Sequence, residues 1–102
     1  MSEERLYAVR LLWIRDQNLF AQYQELAKRI IARFGVHIER WLITDSLEGE
    51  GMEKPDEIVV TWFPNRDAKV AFETDPEFVE AAKLRDKAAK LITVTGSSVF
   101  GD

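Results

Sequence analysis

The sequence has no cysteine and a single histidine, His37. The first absence excludes a disulfide scaffold, a thiol nucleophile and any Cys-ligated metal. The second leaves a metal site to be built almost entirely from carboxylates, and no metal is expected. No apolar run is long enough to cross a bilayer. The opening segment MSEERLYAV lacks the basic start and apolar stretch of a signal peptide, so the expectation is a cytoplasmic protein with no membrane partner. Runs of Lys and Arg are also missing, and the net charge is −4. Phosphate binding needs a basic face, so no nucleic-acid partner is expected. There is no P-loop, no dinucleotide-binding glycine pattern, no G-x-S-x-G elbow and no zinc spacing, so no organic cofactor is expected. The acids of DSLEGEGMEKPD, residues 45–56, do not have the spacing of a calcium-binding loop and read as a solvated loop.

What is present is 102 residues that are 46% hydrophobic and 31% charged, the composition of a globular chain. The length suffices for one domain, 1–102, with one modest core. Leu6 to Ile14 is β-rich and apolar on both faces except at Arg10, as in a central strand covered on both sides. Asp16 or Asn18 can cap the amphipathic segment Leu19 to Phe34, and Gly35 stands where a glycine ends a helix. Val36 to Thr44 alternates as a strand, and Glu57 to Phe63 is a second β-like run, so the two can pair as a long-looped hairpin. Asn65 caps a short helix from Arg66 to Thr74. Asp75 and Pro76 stop it and start another in DPEFVEAAKLRDKAAK, with Asp75 as N-cap and Pro76 at N1. Leu91 to Thr95 reads as the last strand.

The order β-α-β-β-α-β predicts an α+β, ferredoxin-like fold, a four-stranded antiparallel sheet with its helices on one face. Such a sheet leaves its second face to water, yet both faces are apolar here. Leu6, Ala8, Leu12 and Ile14 oppose Tyr7, Val9, Leu11 and Trp13, and Ile58, Val60 and Trp62 oppose Val59 and Phe63. A second copy of the same sheet is the simplest cover, which predicts a homodimer through the sheet faces.

Several residues could carry chemistry. Arg85 falls in the middle of a helix side made of Phe78, Ala81, Ala82, Ala88 and Ala89. It can clamp a ligand carboxylate bidentately, or pair with an acid from another element, the commoner role of such an arginine. Arg10 needs a partner or water, because a buried unpaired cation is very costly; Glu39, Glu57 or a ligand anion could serve. His37 and Glu39 point the same way from one strand and could work as an acid–base pair, with Tyr7 or Tyr23 supplying a proton. Trp13 and Trp41 are the aromatics least easily assigned to core alone and are candidates to line a pocket.

The stretch FPNRDAKVAFETDPEFVEAAKLR, Phe63 to Arg85, resembles domain-of-unknown-function family 1330, through Phe63-Pro64, Ala68, Phe72, Asp75-Pro76-Glu77-Phe78, Ala81 and Leu84-Arg85. The front half agrees more loosely, and after Gly35 the chain reads VHIER where the family often has a second glycine and a basic residue. The resemblance implies a dimeric α+β barrel. Its superfamily includes cofactor-free monooxygenases, muconolactone-type isomerases, haem-handling enzymes and effector-binding modules. It does not imply one chemistry. The function expected is a homodimer that binds a small aromatic or carboxylate-bearing molecule. If an enzyme, it uses no cofactor, with Arg10 and Arg85 holding the anion and His37 or Tyr23 moving a proton. The alternative is a non-catalytic ligand-sensing or structural dimer.

Overall fold

The computed structural model describes residues 5–43 and 48–97. The elements run β1 (Leu6–Ile14), α1 (Gln17–Phe34), β2 (His37–Leu42), β3 (Glu57–Phe63), α2 (Arg66–Thr74), α3 (Pro76–Ala88) and β4 (Ala89–Ser97). The four strands form one antiparallel sheet in the order β2-β3-β1-β4. This is the ferredoxin-like α+β arrangement, with its second helix broken in two at Asp75-Pro76. Among the described residues no helix is long and apolar enough to cross a membrane.

Local chemistry sets the helix ends. Asp16 Oδ1 accepts from Leu19 N at 3.1 Å, so α1 starts at Gln17 rather than at Leu19, two residues earlier than the apolar pattern. At its far end Gly35 adopts φ 62, the left-handed conformation that glycine takes without strain. Asn65 Oδ1 accepts from Ala68 N at 2.8 Å and Asp75 Oδ2 from Phe78 N at 3.0 Å, so each short helix begins with its own cap. β4 is longer than the apolar run LITVT. It takes over at Ala89, where α3 stops, because Ala89 and Lys90 pair with Ile14 and Trp13. β2 is shorter than expected: Val36 is buried just outside it, Ile43 follows it, and Thr44 lies outside the described residues.

The register sorts the strands by face. Leu12 lies opposite Glu57 and Leu91, Arg10 opposite Val59 and Thr93, Ala8 opposite Thr61 and Thr95, and Leu6 opposite Phe63. These residues share the face under the helices. The core there falls into two clusters. Ile30, Val36, Phe63, Phe72, Phe78 and Ala81 form one, with the Phe72 ring 4.2 Å from Phe78 and 5.7 Å from Phe63. Leu12, Phe20, Ala88 and Ala89 form the other. Tyr23 packs against both. Between them along β1 and β3 sit the rows of Arg10 and Thr61.

The opposite face carries Tyr7, Val9, Leu11 and Trp13 of β1, Ile58, Val60 and Trp62 of β3, and Trp41, Ile92 and Val94 of the outer strands. Among the described residues no helix covers it. Trp41 is 47% exposed and Val94 59%.

Candidate functional site

The gap between the two core clusters opens into a cavity of about 310 Å³ between the sheet and the helices. That lies near the lower end for small-molecule sites, which run from about 300 to 1,000 Å³. Its sheet side is made by Arg10, Leu12, Glu57, Val59 and Thr61. Its helix side brings four aromatic rings, Phe20 and Tyr23 from α1, Phe72 from α2 and Phe78 from α3, with the exposed Glu25 and Lys28 of α1 also lining it. Alanines do not fill the space. Ala27 on α1 lines the cavity with only a methyl group.

Arg10 and Arg85 face this cavity from opposite sides, β1 and α3. Among the described residues, three buried side-chain polar atoms lack a hydrogen-bond partner: Arg10 Nε, Arg85 Nη1 and Thr61 Oγ1. All three belong to residues that line the cavity. Burial is the main cause that lowers the Arg10 pKa from the usual guanidinium value, and the nearby Arg85 charge lowers it further. Tyr23, Glu73 and Asp86 act the other way. The Arg85 side chain is only 12% exposed, and its Nε donates to Asp86 Oδ1 at 3.3 Å, a long contact to a solvent-facing carboxylate. Its guanidinium carbon stands 5.9 Å from both the Tyr23 and Phe78 ring centres, within cation–π range. Two cations thus approach one apolar space while most nearby carboxylates are engaged elsewhere. Glu73 pairs with Lys69 at 2.8 Å. Glu57, 1% exposed, accepts from Arg40 Nε, and that bond raises the Arg40 pKa.

The other candidates lie apart. His37 is on the opposite sheet face, stacked on Trp62 at 3.8 Å between ring centres with the planes 2° apart. Arg5 sits over the same indole at 4.2 Å. Glu39 shares that face, so it is not a partner for Arg10. Trp13 donates through Nε1 to the Glu53 carbonyl at 3.2 Å, and Lys90 lies 5.0 Å from its ring. Trp41 is on the exposed edge strand β2, on the same face as His37. The structure therefore brings Arg10, Arg85 and Tyr23 together and does not bring His37, Trp13 or Trp41 to them. Glu57 and Thr61 are cavity residues that the sequence reading did not select as site residues. They share the parity of Val59 and Phe63 along the strand, which puts all four on one face.

Residues 5–97 match the family described as Domain of unknown function (DUF1330). The chain belongs to this family. No curated protein matches it. Among solved structures, a protein of unknown function from Rhodopseudomonas palustris superposes with a TM-score of 0.81 at 20% identity, covering 97% of this chain and 85% of that one. SnoaB, a cofactor-independent oxygenase from Streptomyces nogalater, gives 0.68 at 12% identity over 98% and 97%. A dimeric ferredoxin-like protein of unknown function from Thermobifida fusca gives 0.68 at 13% identity over 93% and 92%. At such identities the likeness is one of fold.

Proposed function

We propose that this member of the DUF1330 family is a homodimer whose protomers each bind a small carboxylate-bearing organic molecule in the cavity between helices and sheet. The observation that carries the reading is the pair Arg10 and Arg85. Both are largely buried, both present an unpartnered N–H, and both line the same space. A structural arginine in such a place would meet a carboxylate. A ligand carboxylate can bridge two guanidiniums, and charge-assisted bonds of this kind are the strong ones. The phenyl rings and Ala27 around them suit an apolar body behind the carboxylate. Dimerisation is supported by the apolar second face of the sheet and by the dimeric T. fusca neighbour. The fold shared with SnoaB is compatible with chemistry in such a cavity, and Tyr23 is the cavity hydroxyl that could move a proton.

Calorimetric titration with phenylacetate tests the reading. The wild-type chain is expected to bind one molecule per protomer, and Arg10→Met and Arg85→Met each to lose about tenfold or more in affinity, the size of one charged hydrogen bond. Equal binding by the three proteins, or none by the wild type at millimolar concentration, overturns it.

A further inference from the structure

The two ends of the cavity differ, and the difference narrows the ligand. This inference rests on the reading above that the cavity takes a carboxylate at Arg10 and Arg85. Along β3, on the helix-facing side, stand Thr61, Val59 and Glu57 in turn, and Arg10 sits opposite Val59. Each step of two residues advances about 6.8 Å. Thr61 and Glu57 are therefore about 14 Å apart along the strand, one on each side of the Arg10 row. Thr61 brings an unpartnered hydroxyl. Glu57 brings a buried carboxylate in which Arg40 Nε takes one of about four acceptor positions. Gln24 of α1 approaches that same end, its amide oxygen 2.8 Å from Arg40 Nη2 in the orientation that satisfies both groups. Phe20, Tyr23 and Phe78 flank the space between.

Charge bears on the other end. Arg40 and Glu57 cancel, as do Lys69 and Glu73, and Asp86 offsets part of the charge of Arg85. Arg10 and Arg85 carry two positive charges that only the exposed Asp86 partly offsets, so the sum admits one ligand carboxylate or two; a second carboxylate at the remote end would face the buried carboxylate of Glu57, and like charges brought together there are costly.

We infer that the ligand is an aromatic monocarboxylate that carries a hydroxyl donor at the end remote from its carboxylate. The carboxylate lies against Arg10 and Arg85, with Thr61 Oγ1 donating to it. The ring lies among the phenyl side chains, and the remote hydroxyl donates to Glu57. A site built around a buried acceptor discriminates strongly against an analogue that cannot donate to it.

The test compares four probes on the wild-type chain: phenylacetate, 4-hydroxyphenylacetate, 4-methoxyphenylacetate and 4-carboxyphenylacetate. The hydroxy compound is expected to bind about tenfold or more tighter than phenylacetate, the gain of one hydrogen bond to a charged acceptor. The methoxy compound, of similar shape but with no donor, is expected to gain nothing, and the dianion to bind weakest. Equal binding of the hydroxy and methoxy compounds overturns the assignment to Glu57 and leaves the anion site standing. Tightest binding by the dianion overturns the like-charge argument. Binding of all four that is unchanged by Arg85→Met, or no binding at all, overturns the carboxylate reading itself and this inference with it.

Discussion

Replacing Arg85 by methionine separates a ligand clamp from a structural ion pair, because the two roles predict opposite changes in ligand-free stability. Arg85 and Arg10 repel each other across the cavity. At an effective dielectric constant of about 20 such a repulsion costs on the order of 1 kcal/mol. The buried, unpartnered Arg85 Nη1 adds about 1–3 kcal/mol of desolvation. Against this, Arg85→Met gives up the contacts to Tyr23 and Phe78 at 5.9 Å, about 0.5–1 kcal/mol each. It also gives up the 3.3 Å contact to the exposed Asp86, about 0–1 kcal/mol. Methionine keeps an unbranched stem that fills irregular space. The balance favours the variant by about 1 kcal/mol. For a domain of this size that corresponds to a melting temperature about 4–8 °C higher. The assay is thermal unfolding by circular dichroism on protein refolded from denaturant to strip bound molecules, at matched protomer concentration because association shifts the transition. A melting temperature lowered by a similar amount, with the native spectrum retained, would refute the reasoning and make Arg85 a structural group.

Thr61→Val removes a buried hydroxyl without a partner; ligand-free stability should hold or rise by about 1 kcal/mol in urea unfolding, while phenylacetate affinity falls. Arg40→Met strands the Glu57 carboxylate, 1% exposed, and should destabilise by up to about 3 kcal/mol in the same assay. Asp75→Ala removes the acceptor of the 3.0 Å bond from Phe78 N and the ion pair with Arg33; a loss of about 1 kcal/mol is expected. Val9→Lys places a charge at the middle of the uncovered sheet face, between Val60 and Val94, and should turn a dimer into a monomer in sedimentation velocity. Phenylacetate binding should depend on pH in one direction: two guanidiniums favour the ionised carboxylate, so its bound pKa is depressed. Affinity is then full above the free value of about 4 and lost as pH falls below it.

The elements were legible where a local rule acts alone. β1, β3, α2 and the start of α3 coincide with the β-rich runs Leu6 to Ile14 and Glu57 to Phe63 and with the caps and breaks at Asn65, Asp75 and Pro76. Where tertiary pairing decides, the apolar pattern falls short. β4 begins at Ala89 and runs on through Gly96 because β1 supplies partners for it. The site divides the same way. Alternation in β1 sets Arg10 among Leu6, Ala8 and Leu12, so its face could be read. The face of His37 could not, because it depends on how β2 meets β3 across a long loop, and that register puts His37 beside Trp62. The pairing of Arg40 with Glu57 follows from the same register: Arg40 lies opposite Val59, on the face that Glu57 shares. No spacing within either strand announces it.

The chain has acids enough to neutralise both buried arginines, 18 Asp and Glu against 14 Lys and Arg. Glu57 stands a single pleat from Arg10 on the same face. Yet it turns to Arg40, a residue half in water that has less need of a buried partner. A domain of about 100 residues has only some 5–15 kcal/mol of stability, and two guanidiniums without a buried carboxylate partner beside one cavity consume a sizeable part of it. Apolar residues at positions 10, 61 and 85 would join the two core clusters into one and remove that cost. Strain of this kind, kept where a simpler sequence would be more stable, is what a preorganised anion site requires. The guanidiniums must be dry and unpaired before the carboxylate arrives, because a clamp already neutralised by Glu57 would have to break that pair in order to bind.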